Sequence, residues 1–436
     1  MTSFLKKVWA LSNFNKLCIL IFLITIITVL GIPPRMAEDS FSYNVMEISR
    51  FPGFTIFMRI MLRLFGDYYT NVIVVFNIIF GCTALYYFTN SFKNYFKLKD
   101  WQSILLLILL IIPYYPKAII ANNIASESLA YPFYLIIICL SLELLLFSKF
   151  KNVLYLVVVL IILNLTRGQF IILPFIICFL FILKEFKNLR KKTHLKVILL
   201  LLIVPFATNL LDKSYRKLVH GHFEKTPYSF VNAVALPLFV SEKDDFKTLK
   251  DEDYKNIFKF SYQRIDSLGL LNHKVQGSLK DKYWAFHDNF PLICNQNIHM
   301  GGVDYYMSKG FTRAEGYIKT EQACKAILFN SLEHNLTDYL KLYFTSIVHG
   351  FKSVYLFLLV LILALWSFIK TIKKYEPDMA FILFTTLLIL SNAFIVALAC
   401  HSISRYLFYN YFALIMIPIL LSRRLFNYYK TKRPIN

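Results

Sequence analysis

The feature that most constrains this chain is a series of uninterrupted apolar runs joined mostly by short polar segments. A helix of about 20 apolar residues crosses the hydrocarbon layer of a bilayer and satisfies its own backbone hydrogen bonds there. The runs therefore predict an all-α polytopic membrane protein with about ten transmembrane helices, the shorter of which extend into flanking polar turns. The runs lie at residues 17–32, 72–88, 101–113, 129–147, 153–165, 170–183, 197–211, 343–369, 379–399 and 406–421.

The composition agrees with lipid as the main solvent of this chain. Of its 436 residues, 57% are hydrophobic and only 17% are charged. A soluble domain of this size needs more charge at its surface. These figures exclude a soluble nucleic-acid-binding protein despite the net charge of +22, and the abundance of Phe and Tyr excludes a disordered chain.

Basic residues cluster in alternate connections, as expected for the cytoplasmic side of a membrane protein. Lys149 and Lys151 precede the segment 153–183, and a basic cluster at 184–196 follows it. A single span would put one of these groups on the wrong side, so the sequence predicts two helices divided at 166–168. The same alternation places the chain in the cell (inner) membrane with both termini in the cytoplasm.

Hydropathy divides the chain into three parts. Residues 1–211 are predicted to form an N-terminal transmembrane module of about seven helices, with a first outer loop at 33–70. Residues 212–342 form a large outer segment, rich in charged and aromatic residues, that is predicted to be mostly helical. Residues 343–436 are predicted to form a C-terminal module of about three helices with a basic cytoplasmic tail.

The first outer loop carries two adjacent carboxylates just after the first span. Glu38 and Asp39 can act as a general base toward a hydroxyl or as ligands of a divalent cation. The alternative is structural, with Asp39 capping a helix that begins at Ser40. Residues 51–66 have the pattern of an amphipathic juxtamembrane helix, whose Arg59 either holds a lipid phosphate or anchors the helix at the headgroups.

Two further outer connections carry charged side chains at the membrane boundary. Glu127 enters an apolar helix, where a carboxylate indicates a site or an ion pair, and its candidate partners are Lys117, Arg167 and Arg405. His401 and Arg405 are four residues apart and are expected to share a helical face. Arg405 suits a phosphate, with interfacial anchoring as the alternative. Cations gathered around acids on one side of the membrane favour an anionic, lipid-linked substrate.

Several of these segments together resemble a known family. Beside the pair Glu38-Asp39, they are the apolar and aromatic stretch 51–81, SESLAYPFY at 126–134, LTRGQFIILPF at 165–175 and SRYLFYNYF at 404–412. Their order resembles the GT-C superfamily of integral-membrane glycosyltransferases, in particular the protein mannosyltransferases and the lipid A aminoarabinose transferase. The resemblance covers most of the membrane part and leaves out the segment 212–342.

The resemblance implies transfer of a sugar from a polyprenyl-phosphate donor to a glycan or glycolipid acceptor on the outer face. An acid deprotonates the acceptor hydroxyl, and cations stabilise the departing lipid phosphate. Members of the family differ in whether they need a divalent cation, so the resemblance does not decide this for the chain. The implied residues are Asp39 or Glu38 for catalysis; Arg167, Arg405, Lys117 and Arg59 for the donor phosphate; and Glu127, His401, Tyr43 and Arg35 for substrate contacts.

Two other functions remain open on the sequence alone. One is a polymerase or ligase that acts on undecaprenyl-diphosphate glycans, which would not especially need Glu38 and Asp39. The other is a flippase or transporter of lipid-linked sugars, which would carry charged residues deep in several spans. The sequence names neither the sugar nor the acceptor, and it leaves open whether Cys294 and Cys324 form a disulfide.

Overall fold

The computed structural model describes residues 11–116 and 118–432, with the side chains of 404, 405 and 430–432 left aside. The chain is 80% helical and contains no strand within the part described. Its N-terminal module consists of α1 (Asn13–Leu30), α2 (Ser40–Asn44), α3 (Pro52–Phe65), α4 (Tyr69–Tyr95), α5 (Asp100–Ile111), α6 (Glu127–Phe147), α7 (Val153–Thr166), α8 (Leu173–Glu185) and α9 (Lys192–His220).

A helical domain of shorter elements follows between residues 221 and 312. Local side chains define where its helices begin. Ser278 and Asp281 form a capping box at one of them, and the Asp251 carboxylate accepts the first backbone N–H groups of another. The elements are α10 (Ser229–Ala233), α11 (Ala235–Val240), α12 (Glu252–Ser267), α13 (Leu279–Asp288), α14 (Phe290–Ile293) and α15 (Met300–Ser308).

A long helix, α16 (Arg313–Phe351), then runs from the helical domain to the membrane part. Thr312 and Glu315 form a capping box at its start, and it is kinked at Asn335, whose φ is −122° and ψ 28°. Its first half packs into the domain core, a cluster separate from the core of the membrane part. The predicted boundaries near 211 and 342 therefore fall inside α9 and α16 rather than in linkers.

In the C-terminal module, one predicted span differs from the structure. The run 343–369 is not a single helix, because α16 ends at Phe351 and the next helix begins at Val354. Lys352 takes a left-handed conformation with φ 60°, and the Ser353 hydroxyl accepts the backbone N–H of Tyr355 to start the next helix. The elements are α17 (Val354–Lys373), α18 (Pro377–Ala399), α19 (Ser404–Leu407) and α20 (Ala413–Lys432).

Seven helical segments in the described part are long and apolar enough to cross a membrane. They confirm an all-α, multi-pass membrane architecture. The predicted runs 101–113 and 153–165 correspond to the shorter helices α5 and α7, of 12 and 14 residues. The seven segments are Asn13–Leu30, Pro52–Tyr95, Glu127–Phe147, Gly168–Asn188, Lys192–His220, Val354–Lys373 and Pro377–Ala399.

Two local features bring the first loop close to α7. Pro52 starts α3, which buries Phe54 and Met58 in the core, while the apolar side chains of Ile56 and Ile60 are exposed. Gly53 lets α3 touch α7, since a Cβ atom there would lie 2.9 Å from the Leu165 carbonyl oxygen. The chain also breaks after Thr166, where the sequence predicts it, so the loop lies beside Arg167.

Candidate active site

The first loop is fastened to the connection between α5 and α6. The Arg35 N–H donates to the Asn122 carbonyl at 2.8 Å, and the Ile124 N–H donates to the Arg35 carbonyl at 2.9 Å, which makes a short parallel bridge. The buried Ser40 hydroxyl donates to the Ile124 carbonyl at 2.7 Å. These bonds hold Asp39 beside the start of α6 on the side of the membrane part that faces the helical domain, here called the domain side.

Asp39 forms an ion pair within the loop. Its Oδ1 lies 2.8 Å from Nη2 of Arg50, and Nε of Arg50 donates to the Ser42 hydroxyl at 2.6 Å. The rings of Tyr43 and Tyr228 each lie 5.4 Å from the Arg50 guanidinium. Burial alone would lower the pKa of Arg50, but the Asp39 carboxylate raises it above its ordinary value. The Asp39 side chain remains 26% exposed.

A second, more deeply buried ion pair joins α6 to the break after α7. Oε1 of Glu127 lies 2.8 Å from Nη1 of Arg167, and the two side chains are only 8% and 10% exposed. Arg167 also donates to the Ser126 hydroxyl at 3.2 Å and to Oε1 of the Gln169 side chain at 3.3 and 3.4 Å. The Gln169 amide in turn donates to Asn392 of α18 at 3.2 Å. Three helices therefore meet in one polar network at the domain side.

Tyr43 links the two ion pairs. Its buried side chain interacts with that of Ser126, which also contacts Arg167. Burial raises the pKa of the Tyr43 hydroxyl, Arg50 opposes that rise, and both Asp39 and Glu127 contribute to it. The carboxylates of both ion pairs thus act on the Tyr43 hydroxyl. We call Asp39, Arg50, Glu127, Arg167 and Tyr43, with the side chains bonded to them, the polar centre.

The helical domain is bound to the same loop. Oε1 of Glu47 accepts the Tyr317 hydroxyl at 2.5 Å and Nη2 of Arg313 at 3.1 Å, and both partners lie in the first turns of α16. Burial would raise the pKa of Glu47, but these hydrogen bonds outweigh it and the pKa is lowered. The fully buried Arg216 of α9 donates to the Arg50 carbonyl, which fixes the end of the loop from the membrane side.

The structure brings together four of the residues singled out from the sequence, namely Asp39, Tyr43, Glu127 and Arg167. Asp39 occupies the N-cap position of α2, but its side chain makes no capping hydrogen bond and instead pairs with Arg50. Glu38 and Arg35 are exposed in the same loop.

The remaining predicted residues lie elsewhere or outside the description. Arg59 reaches the Asn44 carbonyl, with Nη1 at 3.4 Å, on the other side of the loop. His401 packs against the helical domain, its ring 4.6 Å from that of His287. Lys117 and the side chain of Arg405 lie outside the described residues.

The predicted helical face shared by His401 and Arg405 is wrong. Residues 401–403 are not helical, and α19 begins only at Ser404. The rule that side chains four apart lie together applies only within a helix. His401 therefore points to a different neighbourhood from the Glu127 and Arg167 pair.

Sequence reasoning missed several residues of the polar centre. Arg50, Ser126 and Gln169 hydrogen-bond or pair with the acidic or basic residues there, and Asn392 accepts a hydrogen bond from Gln169. A neutral amide in an apolar helix, as at Asn392, was a usable signal, because such a group needs a partner when it is buried. Arg50 offered no periodic signal, because its contact with Asp39 depends on how an irregular loop folds.

The described residues contain neither a metal-ligand cluster nor a disulfide. No group of three or more His, Cys, Asp or Glu side chains in residues 11–116 and 118–432 is arranged to hold a metal ion. Cys294 and Cys324 are both buried and free, so the disulfide left open by the sequence is not formed. The Cys294 thiol instead donates to the Val231 carbonyl at 3.3 Å.

An apolar groove of about 240 Å³ lies next to the polar centre. It runs between the end of α16, helices α17 and α18, and the segment that leads into α20. Asn392 belongs both to the groove wall and to the network around Arg167, so this one side chain joins the groove to the polar centre. Its lining includes Gly350, Phe351, Val360, Asn392, Leu407 and Leu414.

Comparison with known proteins gives no match: no family model, no curated protein and no solved structure corresponds to this chain.

Proposed function

We propose that the protein is a membrane glycosyltransferase of GT-C type that moves a sugar from a polyprenyl-phosphate donor to a glycan or glycolipid acceptor. The observation that carries this proposal is the polar centre, in which Asp39 with Arg50 and Glu127 with Arg167 meet around Tyr43. Acids and guanidinium groups beside an apolar groove suit a substrate that is part lipid, part phosphate and part sugar.

Asp39 is proposed as the general base. It is the more accessible of the two paired acids, 26% exposed against 8% for Glu127, and Arg50 orients its carboxylate. The acceptor oxygen attacks the anomeric carbon as its proton passes to Asp39, and the bond from that carbon to the donor's phosphate oxygen breaks. The lipid phosphate departs with the bonding electron pair, and the sugar remains on the acceptor.

Arg167 is proposed to bind the departing phosphate, with Arg405 and Lys117 contributing further positive charge and Arg59 remaining a more distant candidate. The planar guanidinium matches two phosphate oxygens at once. Its bonds to Gln169, at 3.3 and 3.4 Å, are long, so phosphate oxygens can replace that acceptor. Glu127 keeps Arg167 in place and is available, with Tyr43 and Arg35, to contact the sugar.

The groove beside Asn392 is proposed to take the donor's hydrocarbon chain. Its walls are almost entirely aliphatic and aromatic, and it opens among helices that face lipid. A chain lying there would bring its phosphate end to the network around Arg167. The donor would thus enter sideways from the bilayer, while the acceptor approaches from the helical domain.

The proposal includes a full membrane arrangement of about ten spans, with both termini in the cytoplasm of a cell and the polar centre on the outer face of its inner membrane. Labelling of introduced cysteines with a membrane-impermeant maleimide tests this arrangement. Glu38→Cys is exposed in the first loop and should react in intact cells, whereas Lys187→Cys, between α8 and α9, should react only after lysis. The natural background is low, because six of the seven cysteines are buried.

The deciding experiment supplies the purified full chain with a mixture of polyprenyl-phosphate sugars and measures release of polyprenyl phosphate. Asp39→Asn should lower turnover by about 10² to 10⁴, the usual contribution of a general base. Asp67→Asn, an exposed acid at the end of the same loop, is the matched control and should keep wild-type turnover.

Three outcomes would contradict the proposal in different ways. If Glu38→Gln abolishes turnover and Asp39→Asn does not, the base is Glu38. If the lipid product carries a diphosphate, the enzyme is a polymerase or ligase of lipid-diphosphate glycans. If no lipid-linked sugar is bound or consumed, the proposed class is wrong.

A further inference from the structure

Three histidines from three separate segments meet where the helical domain rests on the membrane part. The ring of His287 in α13 lies 4.8 Å from that of His349 in the last turn of α16, and 4.6 Å from that of His401. Trp284 packs edge-on against His349 at 4.8 Å, and Phe290 stacks on His401 at 4.5 Å. All three imidazoles are half-buried, so protons from solvent can reach them.

The same contact holds the segment between α18 and α19, residues 400–403. Nδ1 of His401 donates to the His287 carbonyl at 2.9 Å, which fixes the proton on that nitrogen. The Ser402 N–H donates to the Tyr283 hydroxyl at 3.1 Å, and the Ser346 hydroxyl of α16 donates to the same oxygen at 3.1 Å. The segment is therefore docked on α13 and α16 by a few polar bonds around the histidines.

This segment leads directly to the polar centre. Four residues beyond Ser402, the Tyr406 carbonyl accepts Nδ2 of Asn392 at 2.8 Å and Nε2 of Gln169 at 3.4 Å. The Tyr406 ring lies 5.2 Å from the Arg167 guanidinium. Residues 400–403 are thus followed closely by a residue that contacts Arg167, Gln169 and Asn392.

The charges around the cluster disfavour added protons. Lys280 of α13 and Lys352 at the end of α16 act against protonation, and Asp288 alone among the described neighbours favours it. Burial is the first cause that lowers the pKa of His287 and of His349, the latter to about 4. The uncharged neighbours are the Tyr283 hydroxyl and the partly buried Cys400 thiol.

We propose that His287, His349 and His401 form an acid-sensitive latch, which docks residues 400–403 on the helical domain at neutral pH and releases them when His287 and His349 take up protons. Two like charges about 5 Å apart, at the effective dielectric constant of a partly exposed site, shift such an equilibrium by at least about tenfold. The direction follows from lowered pKa values. Docking is complete above the ordinary histidine value near 6.5 and is lost as the pH falls toward 4.

Hydrogen exchange of the full chain in lipid nanodiscs tests the latch without requiring any activity. Peptides covering residues 400–407 are compared at pH 7.5 and pH 5, after correction for the intrinsic exchange rate. The wild type should exchange at least about tenfold faster at pH 5, because the Ser402 N–H loses its acceptor. The double variant His287→Phe, His349→Phe keeps an aromatic ring at both positions but cannot take up a proton at either, and it should show no such increase.

A matched control variant and a second measurement test whether the pH response comes from the histidine cluster. His273→Gln removes an exposed histidine of the same domain and should respond to pH as the wild type does. If the double variant does not fold, a variant with Trp284 as its single tryptophan reports on the cluster, because a protonated imidazole in contact quenches indole fluorescence. Its fluorescence should then fall over the same pH range in which residues 400–407 begin to exchange.

The latch is refuted if exchange at 400–407 is independent of pH in the wild type, or if its pH dependence persists in the double variant. An influence of the latch on catalysis rests on the proposed transferase function. The latch and the transferase function can nevertheless be refuted independently of each other. Release of the segment in a protein without transferase activity would overturn the proposed function and leave the latch standing. Transferase activity in a protein that does not release residues 400–403 at low pH would refute the latch and leave the proposed function standing.

Discussion

The burial of the ion pair between Glu127 and Arg167 predicts how much each side chain contributes to the free energy of unfolding. Its atoms are 2.8 Å apart and its side chains 8% and 10% exposed. Removing one partner of such a pair leaves the other charge poorly solvated and costs about 3 to 5 kcal/mol. We therefore expect Glu127→Gln and Arg167→Gln each to lower the free energy of unfolding by about that amount, and the double variant by much less than their sum.

The control is an ion pair with the same separation at the surface. Asp244 and Lys247 are also 2.8 Å apart, but they are 68% and 63% exposed. Exposed pairs are worth about 0 to 1 kcal/mol because water screens them. A double-mutant cycle for each pair, measured by denaturant unfolding in bicelles, should therefore give a coupling several times larger for the buried pair. Equal couplings would refute the reasoning that burial gives the polar centre its rigidity.

Three further predictions concern stability elsewhere. Burial lowers the pKa of His299 to about 4, so the stability that this residue contributes above pH 6.5 should fall by up to about 3 kcal/mol toward pH 4, and His299→Gln should reduce the pH dependence of thermal melts by that amount. Gly53→Ala, whose Cβ would lie 2.9 Å from the Leu165 carbonyl, should cost about 1 to 3 kcal/mol, while Gly31→Ala, at 3.3 Å from its nearest atom, should cost less. Asp251→Ala should cost about 1 kcal/mol, measured by the same melts, through its lost cap.

The membrane part was predictable because lipid imposes a simple rule on sequence. Apolar runs mark most of the helices. The break after Thr166 was predicted because the lysines on either side of the segment 153–183 are expected on the same, cytoplasmic side of the membrane. The failure at 343–369 has a local cause. Lys352 adopts a left-handed conformation inside a continuously apolar stretch, and a lysine at that position carries no signal for such a turn.

The polar centre was only half predictable. Glu127 stood out because a carboxylate is costly in an apolar helix, and Arg167 was one of its three expected partners. The partner of Asp39 could not be read from spacing, since Arg50 reaches it through an irregular loop that is itself held by Asn122. Contacts within a regular helix can be predicted from the helical period of the sequence. Contacts between loops depend on the fold of the whole chain and cannot be predicted in that way.

The helix α16, which is kinked at Asn335, also limits how this protein can vary in length. It touches the first loop through Arg313 and Tyr317 near one end and the histidine cluster through His349 at the other. One inserted residue turns a helix by about 100° and lengthens it by about 1.5 Å, so both ends could not keep their neighbours. Natural insertions and deletions should therefore avoid this helix and collect in connections such as 268–278, where an added residue disturbs no distant contact.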